Sequence, residues 1–196
     1  MKQVTFILWA ICLIAWGGTL GKVPLLPASK RIQTAYLAWK KHPESVALQK
    51  NFLTAFPQTK AVFVAVFYPA ENDQLSSASD EYLSALEKIG TTSPGAVMQI
   101  CLNIGKEFPR GSDAIAYLQQ NTVTLALAHP KVFVTTAKSL TDKERQSLFR
   151  FLADAEAIED WPEYGYLIQK MTKSGALTYA AELRQARQWR THRPND

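Results

Sequence analysis

The sequence predicts an all-α fold, a single compact helical domain behind an N-terminal hydrophobic leader. Three observations predict it. Apolar residues recur at the 3.6-residue spacing of amphipathic helices along most of the chain. Helix-start signals precede several of those segments. A chain that is 47% hydrophobic and 20% charged has enough apolar material for a packed core. α-Solenoid-like helical hairpins are one form of this fold. An α+β arrangement with a small sheet is the alternative, because three short runs (61–67, 122–128 and 131–136) are β-branched or alternating. The expected organisation is a signal peptide or signal anchor at 1–21, a linker at 22–28, the helical domain at 29–189 and a basic tail at 190–196.

The leader sets the address. Met1-Lys2 is followed by Val4–Leu20, which contains no charged residue. A basic start, an apolar stretch and small residues after it form the pattern of a secretory signal. Its unbroken apolar core is short for a span of about 20 residues. Ala15/Gly17 or Thr19/Gly21 supply small residues for cleavage, whereas Ile11 before Cys12 is a poor lipoprotein signal. Cleavage leaves an exported chain, periplasmic in a Gram-negative cell; retention leaves it anchored in the inner membrane by residues 4–20. Either way the remainder lies outside the cytoplasm.

Pro24 and Pro27 make the linker extended. Ser29 is the expected cap of a first helix with Ile32, Ala35, Tyr36 and Trp39 on one face. His42-Pro43 separates it from a second, carrying Val46, Leu48, Phe52, Leu53 and Phe56, and Pro57 resets the chain. Ala61–Phe67 is read as a short buried helix, and Tyr68–Ser79 as a polar loop. Tyr82, Leu83, Leu86 and Ile89 mark a helix closed by Gly90. Ser93 and Pro94 start the strongest helix of the body, lined by Val97, Cys101, Ile104 and Phe108. Ser112 begins the next, with Ile115 and Leu118 inward. Thr141 and Glu144 form a capping box ahead of Leu148, Phe151, Leu152 and Ala155. Asp160 and Glu163 repeat that arrangement ahead of Tyr164, Leu167, Ile168 and Met171. Ser174-Gly175 precedes a last helix with Leu177, Ala180 and Leu183, fraying into the arginines. Trp39, Phe52, Phe56, Val97, Cys101, Ile104, Leu118, Phe151, Leu152 and Leu167 are the expected core. A faint echo relates Pro43, Val46 and Phe56-Pro57 to Pro94, Val97 and Phe108-Pro109.

The net charge of +5 is unevenly placed. Arg184, Arg187, Arg190 and Arg193 lie within the last thirteen residues, so the high isoelectric point belongs to the C-terminus and not to a broad nucleic-acid-binding face. With Cys12 in the leader, Cys101 is alone in the body and has no disulfide partner there. Mid-helix on an apolar stripe, it reads as an inert buried thiol. His42, His129 and His192 do not cluster as metal ligands do. No cofactor, metal or catalytic residue is expected, and no nucleotide-binding or hydrolase signature occurs.

Two surface segments are candidates for contact. Arg184, Arg187, Trp189, Arg190 and Arg193 suit an anionic membrane surface or an acidic protein, and the tail reads as dispensable for stability. Asp154, Glu156, Glu159, Asp160 and Glu163 form an acidic patch suited to docking a basic partner. The expectation is therefore an exported helical binding or adaptor protein of the bacterial envelope, acting by contact with another envelope protein. A membrane-anchored envelope component is the runner-up, and a small hydrolase using the 154–163 carboxylates is a third reading.

Overall fold

The computed structural model describes residues 26–68, 75–108, 113–154 and 162–191, and within them the chain is helical. In order, the helices are α1 (Pro27–Lys41), α2 (Val46–Ala55), α3 (Lys60–Phe67), α4 (Ser79–Gly90), α5 (Pro94–Gly105), α6 (Asp113–Ala128), α7 (Pro130–Ala137), α8 (Asp142–Ala153), α9 (Pro162–Lys173) and α10 (Leu177–Thr191), with a 3₁₀ turn at Ser76–Ala78 before α4. No strand occurs among the described residues, which removes the small-sheet alternative. All three ambiguous runs are helical: 61–67 in α3, 122–128 closing α6, and 131–136 within α7.

The physical reason is burial on more than one side. α5 packs against α3, α4, α6, α7 and α8, while α6 also packs against α4, α7, α8 and α9. A helix so enclosed buries a wide arc, and its sequence loses the clean polar stripe of a surface helix. Val123, Leu125 and Ala126 are all buried in α6 beside Thr122. Their alternation in sequence therefore carries no strand meaning. Packing outweighs the modest cost of β-branched residues in a helix.

All ten expected core residues are buried. They belong to one contiguous cluster reaching from Ile32 in α1 to Ala186 in α10. Aromatic rings fill its N-terminal part, with Tyr36, Trp39, Phe52, Phe56, Phe63 and Phe67 in a chain of contacts 4.5–6.1 Å between centroids once Tyr82 is included. Buried hydrogen bonds lock the middle and C-terminal helices: Gln119 Nε2 donates to the Phe151 carbonyl at 2.6 Å and Tyr164 Oη to the Leu183 carbonyl at 2.9 Å.

Helix ends follow the expected chemistry in part. The Thr141–Glu144 capping box is formed. Lys106 adds a 2.7 Å bond to Glu144, and the Glu144 carboxyl is pulled down to about 2, first by Lys106 and then by the Thr141 backbone and hydroxyl. Ser45 and Thr59 cap α2 and α3. Ser29, by contrast, is not a cap: α1 starts at Pro27 after Leu26, and the Ser29 hydroxyl is buried inside the helix. Ser93 stands at the cap position of α5 without a side-chain bond to the backbone. Gly90 is the last residue of α4 and has no left-handed φ, which among the described residues only Gly175 shows, at +79°. Its role is close approach, since a Cβ there meets Leu125 Cδ1 of α6 at 3.1 Å.

The sequence echo does not extend to the fold. Pro43 lies in a turn before α2 while Pro94 is the first residue of α5, and Val46 is 77% exposed where Val97 is buried.

Candidate functional site

α10 lies against both α8 and α9, and between α8 and α10 runs a groove of about 760 Å³. One wall is tied by Arg145 of α8. Its Nε and Nη2 donate to the two carboxylate oxygens of Glu182 on α10 at 2.6 and 2.8 Å, and Nη2 also reaches Asp142 at 2.9 Å. The guanidinium lies over the Tyr179 ring, 5.7 Å from its centroid. Its pKa is raised, chiefly by the bonds to Glu182. Arg145 is fully engaged on this side, shared between two carboxylates.

The other wall is different. Arg150 stacks on Trp189, with its guanidinium carbon 5.0 Å from the ring centroid. No hydrogen bond or ion pair engages the Arg150 guanidinium among the described residues. Lys143, Gln146 and Gln185 are exposed and also line the groove. They add donors without adding acids.

A second groove, about 700 Å³, lies between α1, α2 and α4. Tyr36 Oη and Lys40 Nζ both donate to Glu81 Oε2, at 2.8 and 3.0 Å. The Glu81 carboxyl is lowered by Tyr36 first and Lys40 second, and the Tyr36 phenol is raised mainly by burial. The polar groups in this triad satisfy one another. It braces α1 against α4.

The candidate residues divide on inspection. Arg190 Nε lies 2.8 Å from Asp154 Oδ1, with the Asp154 side chain only 8% exposed. One member of the basic segment and one of the acidic patch thus neutralise each other, and neither is a free docking group. Trp189 is half-buried under Arg150, and α10 remains helical through Thr191, so this segment does not fray at Leu183. Arg184 is exposed and donates to Thr172 Oγ1 of α9 at 2.9 Å. Arg187 is exposed beside α9, with Nη1 3.6 Å from where a Gly165 Cβ would stand. Glu163 is half-buried in the first turn of α9. Glu156, Glu159, Asp160 and Arg193 lie outside the described residues, as do the leader, Ser112 and His192.

Cys101 is buried and its thiol is pushed up to about 12 by desolvation, which suits an inert core residue. Among the described residues no His, Cys, Asp and Glu side chains gather into a metal-binding group, and no helix is long and apolar enough to cross a membrane. The groove itself was missed in the sequence. Arg150 precedes an apolar run and carries no motif, and nothing local signals that Trp189, 39 residues on, lies beneath it.

No family model, curated protein or solved structure matches this chain.

Proposed function

We propose that the protein is an exported helical binding module of the cell envelope and that it receives a protein partner in the α8–α10 groove. The single observation that carries this reading is the asymmetry of that groove: one wall is closed by the Arg145–Glu182–Asp142 network, while the other presents Arg150 on Trp189 with no hydrogen bond or ion pair to its guanidinium among the described residues. Trp and Arg are the residue types that most often dominate binding energy at protein interfaces, and a rigid Arg–Trp stack loses little entropy when a partner arrives. The charge-free stretch at 4–20 supports the export half of the proposal.

Site-specific photocrosslinking in intact cells tests it. A photoreactive side chain at Gln185 or Gln146 should give a discrete adduct that the same group at Gln99, on the exposed face of α5, does not. Equal adducts from all three positions, or none from the groove, would remove the proposal. A second reading, an envelope protein anchored by residues 4–20, rests on that same stretch. A mature N-terminus near residue 18 or 22, found by mass spectrometry, eliminates the anchor.

A further inference from the structure

We infer that the partner segment taken by the α8–α10 groove is an acidic peptide in polyproline II conformation, carrying two carboxylates about three residues apart; this rests on the groove being the binding face. The argument starts from charge. Asp142 and Glu182 are the acidic side chains that line the groove, and both are bonded to Arg145. Lys143 and Arg150 are the cations left over among the lining residues. The lining as a whole is net positive, and Lys143 and Arg150, outside the Arg145 network, are the two positions that draw a carboxylate.

Spacing then limits the ligand. Lys143 and Arg150 stand seven residues apart on α8, so they share a face and are separated by about 10 Å along the helix axis. A polyproline II peptide advances about 3.1 Å per residue with three residues per turn, so carboxylates at i and i+3 share one face, lie about 9 Å apart and reach both cations. Between them Gln146 projects from α8 and Gln185 from α10. These amides can both donate to and accept from a peptide backbone. Arg150 is the stronger anchor: its guanidinium carbon lies over the Trp189 ring, 5.0 Å from the centroid, and a guanidinium can grip a carboxylate in the bidentate manner where a lysine cannot.

The same features argue against a lipid surface as the occupant. Trp189 is half-buried with Arg150 over its ring, so it is not presented for insertion between headgroups. Asp142 is 96% exposed at the groove's edge and repels an anionic bilayer, whereas a narrow peptide passes it. The recognition is local, not a broad positive field.

Fluorescence anisotropy with the full-length protein tests the inference. The probe is a fluorescein-labelled peptide containing Glu-Ser-Gly-Glu, with a Gln-Ser-Gly-Gln twin and an isomer bearing adjacent glutamates. The spaced peptide should bind more tightly than both. Arg150→Gln should weaken it about tenfold, the loss of one charge-assisted pair. Lys143→Gln, at an exposed position that cannot unfold the body, should weaken it several-fold, and added salt should weaken it further. Lys131→Gln on α7 serves as an equal change of charge away from the groove and should leave binding intact. Equal losses from Arg150→Gln and Lys131→Gln, or equal binding of the glutamine twin, would overturn the inference. So would Arg150-dependent binding to phosphatidylglycerol vesicles that exceeds binding to the peptide. If crosslinking through Gln185 succeeds while the acidic peptide fails, the groove stands as the binding face and only its acidic specificity falls.

Discussion

Gly105, at the end of α5, shows how closely single residues are specified. A Cβ there falls 2.8 Å from two carbons of the Phe151 ring and 3.0 Å from Leu148 Cδ1. Phe151 is fully buried and stacked on Phe108 with centroids 5.9 Å apart, so the ring has nowhere to go. Gly105→Ala should destabilise the protein by about 1–3 kcal/mol, the overpacking cost exceeding the gain in helix propensity. Gly95 sits in the first turn of the same helix, and a Cβ there meets nothing within 4 Å. Gly95→Ala should be neutral or stabilising by up to about 1 kcal/mol, and urea midpoints of the two variants check the contrast. Glu144 gives a pH signature. Its folded pKa lies near 2, below the ordinary value of 4.5. The group therefore favours folding above about pH 4.5, and that contribution fades as acid carries the pH down from there through about 2. Glu144→Gln should flatten this part of the stability profile, measured as urea midpoints between pH 6 and pH 3. The capping box was legible because its two residues are three apart; the Lys106 bond that deepens the shift comes from 38 residues away.

Among the elements, α10 departs most from expectation. Its arginines read in sequence as a dispensable basic end, because isolated exposed arginines contribute little to stability. The helix instead lies between α8 and α9, with Arg190 on Asp154 and Trp189 under Arg150. Deleting residues 188–196 removes both contacts, a loss of roughly 2 kcal/mol for a half-buried charged pair and a covered ring. Thermal melting should fall by roughly 5 °C, since each kcal/mol shifts a domain of this size by about 2–4 °C. A melting temperature unchanged by that deletion would return α10's end to the surface. α6 was hard to read for the opposite reason: periodicity needs a solvent side to contrast with the core, and enclosure on several sides takes that contrast away. α3 and α7 span eight residues each, about two turns, and carry valines at partly exposed positions, too short and too apolar for a helical period to stand out.

At the scale of the molecule, one apolar cluster from α1 to α10 ties the helices into a single cooperative unit. Far-ultraviolet circular dichroism and thiol labelling of Cys101 should therefore report the same denaturation midpoint, with the native thiol unreactive because it is buried and its pKa lies near 12. Labelling well before the helical signal is lost would mean that α5 opens separately.

Helix after helix and the whole expected core could be read from the residues in order, because an amphipathic face depends on neighbours three and four positions apart. The caps at Thr141 and the turn at Gly175 are equally local. The groove was not legible. Arg145 meets Glu182 across 37 residues and Arg150 meets Trp189 across 39, so which cation is neutralised and which stays open is settled only when α10 folds back onto α8. Charge was visible along the chain; its pairing exists only in three dimensions.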